Sequence, residues 1–223
     1  GGGSAATIHH ACAAAASGAA STVVIWRAMN ERSEYRFGQP KGTPQGTRIN
    51  DMTFTIWGIP YGLQFPGASS ALAFQRYMHR YGVTNEDLGH LVVQQRAYAA
   101  TNPLARFYQR PITLEDHQNS KWIADPVLRV FDCCQESDGG VALIVTSRER
   151  ARDLKGEHVR ILGSAFSMPY NVEPLTSYYT DDPVIMEETR NSARRVFEAA
   201  EVGPRDIDVA LLYDAFSPEV VRQ

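Results

Sequence analysis

The sequence predicts an α/β protein, because strand-like apolar runs alternate with helical stretches along most of its 223 residues. An Ala-rich helical run, residues 5–16, leads at once into the apolar stretch Thr22-Val23-Val24-Ile25-Trp26. The alternation breaks at Lys155-Gly156 and then resumes, which fits a duplicated α/β fold, although no internal sequence repeat is visible.

Residues 5–16 contain only Thr7 and Ile8 as β-branched residues, and Ser17-Gly18 supplies a stop. Small, uncharged side chains suit close packing, so this helix is expected to be buried in the middle of a layered fold. The following apolar run reads as a strand covered on both faces. From residue 28 to about 65 the periodicity fades among Pro40, Pro44, Pro60 and repeated glycines, giving a long excursion with a possible short strand at 54–57. A helix is predicted over 69–81 through Leu72, Met78 and Tyr81, stopping at Gly82. Thr84-x-x-Asp87 is a capping-box start for a helix to about Thr101, and Thr113-x-x-Asp116 is a second such start. Residues 127–131 and 141–146 read as strands, and 148–154 as a short polar helix. Beyond the boundary, 159–166 reads as a strand, 183–202 as an amphipathic helix and 209–213 as another strand.

The composition narrows the function. With 22 basic and 25 acidic residues the net charge is −3, and no Lys/Arg block offers a nucleic-acid surface. Cys12, Cys133 and Cys134 show neither CxxC nor Cys/His ligand spacing, so no disulfide framework and no metal site is expected. No apolar run reaches about 18 residues and no signal-peptide pattern is present, so a cytoplasmic location is expected. The chain lacks an initiator Met and stops at Gln223 a few residues into a new helix, which leads us to expect a fragment.

Several motifs, taken in order, resemble one family. The stretch from Ala193 to Phe216, ARRVFEAAEVGPRDIDVALLYDAF, has the order of a helix, a Gly-Pro turn and a strand that delivers a polar side chain. Phe131-Asp132-Cys133-Cys134 precedes Ser137-Asp138-Gly139-Gly140 and an apolar strand. Arg76-Tyr77-Met78, Tyr81-Gly82-Val83-Thr84, Asn102-Pro103 and Arg27-Ala28-Met29-Asn30 complete the set. In this order they resemble the thiolase superfamily, in its lipid-transfer-protein-like branch. The resemblance implies a layered αβαβα fold. Residues 1–155 would hold the end of the first half, with an inserted loop domain at about 28–137, and 156–223 the start of the second.

The resemblance also implies where the active site lies. The family's nucleophilic Cys opens a buried helix, where unpaired N–H groups and the helix dipole favour a thiolate. Gly1, Gly2, Gly3 and Ser4 occupy that place, and Cys12 lies two turns too deep. Glycines at a helix start can hold an oxyanion with backbone N–H groups, or simply form a tight turn. Ser4 reads as an N-cap, with no base placed to make it a nucleophile. The second site is Tyr213-Asp214-Ala215-Phe216-Ser217, where the family usually presents Asn or His at the position of Tyr213. A phenol donates a hydrogen bond unless neighbours lower its ordinary pKa of about 10. Asp214 would orient Tyr213 or cap the helix entered at Ser217-Pro218. Outside the resemblance, a Tyr at a strand end packs, and His9, His10 and the cysteine pair read as packing residues.

Loss of the thiol together with Tyr213 resembles the steroid side-chain-cleaving aldolases, which implies retro-aldol cleavage of a β-hydroxyacyl-CoA to a ketone and a shortened acyl-CoA. It implies no cofactor beyond the substrate's coenzyme A, a homodimer, and an OB-fold, zinc-ribbon acyl-CoA-binding companion. Two other readings stay open: an acetyl-CoA acyltransferase whose Cys lies just upstream of Gly1, and a non-catalytic acyl-CoA- or lipid-binding subunit.

Overall fold

The computed structural model describes residues 3–33, 59–63, 65–168 and 182–223. The possible strand at 54–57 lies outside these residues. The chain divides into two compact units, the first built from Gly1–Arg36, Glu136–Val172 and Glu187–Leu211, the second from Phe37–Gln135, Glu173–Met186 and Leu212–Gln223.

In the first unit, α1 (Gly3–Ala16) is followed by β1 (Thr22–Met29), which pairs antiparallel with the later strand β4 (Gly139–Thr146) from Thr22 opposite Thr146 to Met29 opposite Gly139. Helix α1 lies on this two-stranded sheet. Its burial is confined to one stripe, at Ala6 and Ala11, so the expectation of a wholly buried helix is corrected. The expectation of a strand covered on both faces is corrected too, since Trp26 is 73% exposed on the face shared by the cross-strand pair Val24 and Ile144. Asp138 fixes the entry to β4 by accepting from the backbone N–H of Arg32 at 2.7 Å and of Ser33 at 3.2 Å.

The strands expected at 159–166 and 209–213 do not form. A strand exists only when a neighbour completes its ladder, and no described strand pairs with either segment. Helix α6 (Glu187–Ala200) packs directly on the backbone of the first of them. A Cβ at Gly163 would sit 2.8 Å from the carbonyl oxygen of Val196 and 2.9 Å from the N of Ala200, so only glycine allows this approach. The short α5 (Arg148–Ala151) follows β4, starting from a Ser147 cap.

The second unit is mostly helical. Helix α2 (Pro66–Tyr81) starts with Pro66 in its first turn and ends at Gly82, whose φ of 69° lets its N–H reach the carbonyl of Met78. Both predicted capping boxes are present: Thr84 opens α3 (Asn85–Thr101) and Thr113 opens α4 (Leu114–Gln118). Strands β2 (Trp122–Ala124) and β3 (Leu128–Arg129) form a small hairpin, and a 3-10 turn over Val130–Asp132 takes the place of the rest of the strand expected at 127–131. Ala71, Phe74, Leu88, Val127 and Leu128 form the core, with Tyr77, Met78 and Phe216 packed against it. Each large side chain buried there stabilises the unit by about 1.5–3 kcal/mol. The last element is α7 (Ser217–Arg222).

Candidate active site

Tyr213 belongs to the second unit, stands four residues before α7 and is 57% exposed. Its backbone is held by one side chain: Gln223 donates from Nε2 to the Tyr213 carbonyl at 2.7 Å, and its Oε1 accepts from the Tyr213 N–H at 3.3 Å. The residues after Tyr213 are fixed from the other direction. The Cys134 N–H donates to the carbonyl of Ala215 at 2.9 Å, Cys133 and Phe216 form an antiparallel bridge, and the Ser217 hydroxyl reaches the carbonyl of Asp132 at 3.5 Å. Phe216 drops into the core beside Gly67, where a Cβ would meet its ring at 3.0 Å. Asp214 is exposed. It does not cap α7, because the N-cap position is Phe216, with no side-chain cap bond, and Pro218 opens the first turn.

Helix α7 is anchored by a buried polar cluster. The Ser70 hydroxyl donates to Glu219 Oε1 at 2.6 Å, and Arg222 lies 3.5 Å from the same oxygen. Arg222 Nη2 donates to the carbonyl of Pro183 at 2.7 Å, while its Nε and Nη1 make no hydrogen bond among the described residues. The Glu219 contact is thus an attraction of charges without the alignment of a hydrogen bond.

Sequence reasoning passed over His117, which is 0% exposed. Its Nε2 lies 3.0 Å from Asp132 Oδ1, and its Nδ1 lies 3.1 Å from Gln118 Nε2. An amide nitrogen only donates, so Nδ1 accepts and the ring proton sits on Nε2, pointing at the carboxylate. The second oxygen of Asp132 accepts from the Arg129 N–H at 2.7 Å and from Asn85 Nδ2 at 3.2 Å. Asn85 also donates to the carbonyl of Val127, and its Oδ1 accepts from Arg129 Nε at 2.8 Å. Every member is satisfied, and leaving one such buried group unpaired costs about 1–3 kcal/mol. In sequence His117 stands within the polar stretch Glu115-Asp116-His117-Gln118-Asn119, which gives no sign of its burial.

None of the three cysteines forms a disulfide. Burial, and after it the neighbouring Asp132 carboxylate, pushes the Cys133 thiol up to about 12, so it is a protonated packing group at neutral pH. Cys134 is exposed. In the first unit, Gly3 and Ser4 open α1, and Gly1 and Gly2 lie outside the described residues. The first turn of α1 carries no acidic side chain, so its unpaired N–H groups are not neutralised from within the helix. His9 Nδ1 lies 3.0 Å from Ser164 Oγ, tying α1 to the segment that Gly163 lets close on α6. Among the described residues, no three His, Cys, Asp or Glu side chains gather as metal ligands would. No described helix is long and apolar enough to cross a membrane.

A chain with these two units and a hydrogen-bonded Tyr213-Asp214-Ala215-Phe216 segment has close relatives. It is 46% identical over 201 residues to a steroid side-chain-cleaving aldolase of Thermomonospora curvata, covering 90% of this chain and 51% of that one. It is 43% identical to a 17-hydroxy-3-oxo-4-pregnene-20-carboxyl-CoA lyase of Mycobacterium tuberculosis, covering 88% of this chain and 50% of the lyase. The chain thus spans about half the length of these relatives. The solved structure of an Ltp2-ChsH2(DUF35) aldolase matches the whole chain with a TM-score of 0.89 at 44% identity, over 56% of that chain. A monomeric SCP2-thiolase-like protein of Mycobacterium smegmatis matches all of this chain and 45% of its own, with a TM-score of 0.70 at 19% identity, which speaks for the fold alone. No family model matches. The fold is thiolase-like, as the motifs implied, and the chain belongs to the thiolase superfamily. Within it, the chain falls with relatives named for aldolase and lyase activity.

Proposed function

We propose that the protein is a thiolase-like lyase that cleaves a β-hydroxyacyl-CoA, with a steroid or similarly bulky group on the hydroxyl-bearing carbon, into a ketone and a shortened acyl-CoA. The observation that carries this is Tyr213, a phenol where thiolases usually present Asn or His, held by its own backbone in a chain 43–46% identical to an aldolase and a lyase. In the reaction the β-hydroxyl gives up its proton as the bond between the α and β carbons breaks. The β carbon leaves as the ketone, the electron pair passes to the thioester enolate, and the α carbon takes up a proton. Tyr213 exchanges one of these two protons. The backbone N–H groups of Gly1 to Ser4 hold the enolate oxygen, and Asp214 helps to orient the phenol. No acyl-enzyme is needed, so neither a Cys nor a cofactor beyond the substrate's coenzyme A is called for.

The chemistry suits a cytoplasmic enzyme that works as a homodimer with a companion of the OB-fold, zinc-ribbon, acyl-CoA-binding kind. Support for such a companion comes from the Ltp2-ChsH2(DUF35) aldolase, whose name joins two proteins. The test is Tyr213→Phe in the assembled enzyme. Ketone release should fall at least 100-fold while the far-UV circular dichroism stays as it is, and unchanged turnover would remove Tyr213 from the chemistry.

A further inference from the structure

We infer that His117 and Asp132 are positioning residues for the lyase reaction: their buried pair sets the place of the Tyr213 segment through the backbone of residues 132–134. This rests on the reading of Tyr213 given above. Three observations carry it. The pair is sealed, since both side chains are fully buried and each atom of the Asp132 carboxylate has a specified donor: His117 on one oxygen, Asn85 and the Arg129 N–H on the other. Asp132 is also where the fixed core ends and the Tyr213 segment begins, because its carbonyl accepts from Ser217, and the next two residues bridge Phe216 and donate to Ala215. Finally, the two ring nitrogens of His117 are both committed, to Asp132 and to Gln118, so the imidazole can neither rotate nor slide without breaking a bond. A core needing only bulk would be served as well by an apolar side chain. A fully connected polar set instead specifies one geometry, and that geometry is handed two residues along to the strand bridge beside Tyr213.

The experiment uses the full enzyme with its companion and 17-hydroxy-3-oxo-4-pregnene-20-carboxyl-CoA as the probe, with kcat expressed per folded enzyme. H117L, which keeps bulk but removes the donor, and D132N are expected to lower kcat at least tenfold with KM within twofold of wild type. H117Q, which can still donate to Asp132, should recover at least a third of the lost kcat. In the Tyr213→Phe background H117L should change the residual rate less than twofold, because the pair acts through Tyr213. Wild-type kcat in H117L and D132N would overturn the inference, as would a further tenfold loss in the double variant. Where H117L fails to fold, S217A removes the hydroxyl contact to Asp132, and a threefold fall in kcat at constant KM is expected; unchanged kcat counts against positioning. The two readings separate cleanly. An active Y213F sinks the role of Tyr213 itself, whereas an inactive Y213F beside a fully active H117L sinks only the role of the buried pair.

Discussion

The side chain of Gln223 closes on both backbone polar groups of Tyr213, donating to its carbonyl at 2.7 Å and accepting from its N–H at 3.3 Å. It does for Tyr213 what an adjacent strand does in a sheet. Gln223 also donates to the carbonyl of Glu219, so the grip is referred to α7 and through Glu219 to Ser70 in α2.

Removing that grip should cost rate more than stability. Gln223 and Tyr213 are both exposed, and an exposed hydrogen bond contributes about 0.5–1.5 kcal/mol at most. A small displacement of a reacting group can cost up to about 100-fold in rate. Q223L is therefore expected to lower kcat about tenfold with a melting temperature close to wild type. Q223E should fall between, since a carboxylate still accepts from the Tyr213 N–H but has nothing to donate to its carbonyl. Steady-state kinetics beside a thermal melt decides it, and a wild-type kcat in Q223L would show that the clamp is dispensable.

The two capping boxes make the second unit sensitive to acid. Asp87 accepts from the Thr84 N–H at 2.7 Å, and Asp116 from the Thr113 N–H at 2.8 Å. These backbone bonds, with the threonine hydroxyl bonds second, hold both carboxyls below their ordinary value of 3.8. A carboxyl depressed in the folded state stabilises it fully above the unfolded pKa, and the contribution fades as pH falls through the lower, folded value. The melting temperature should therefore drop as pH is lowered below about 4, and D87N/D116N should flatten that slope while lowering the plateau at pH 7. Parallel curves for wild type and the double variant would assign the acid sensitivity elsewhere.

What could be read ahead of the structure was local. Thr84-x-x-Asp87, Thr113-x-x-Asp116 and the stop at Gly82 each complete their hydrogen bonds within four residues, and each stands where it was expected. The strands at 22–26 and 141–146 were legible for a different reason, since each found the other as its ladder partner. Segments 159–166 and 209–213 carry the same apolar signal, but a run of apolar residues cannot say whether a neighbour is present; Val159 and Leu211 stand 96% exposed. His117 was hidden because its contact with Asp132, 15 positions away, and its close approach to Gly89 on α3 follow no sequence spacing. Tyr213 was visible only through the resemblance, since the clamp from Gln223 depends on how α7 turns back.

Gly89 puts the His117 environment to a test of packing. It sits inside α3, where propensity alone makes alanine better than glycine by up to about 1 kcal/mol. The structure argues the reverse. A Cβ there would lie 2.7 Å from Leu114 Cδ1 and 2.8 Å from His117 Nδ1. Leu114 can turn aside, but His117 is held at both nitrogens, so α4 must move bodily away from α3. Overpacking of this kind costs about 1–3 kcal/mol, which exceeds the gain in propensity. G89A should therefore lower the urea midpoint with an unchanged m-value, and G89S should do no better, because its hydroxyl enters the same space. A G89A variant more stable than wild type would mean that α3 and α4 are not packed as closely as the His117 contacts require.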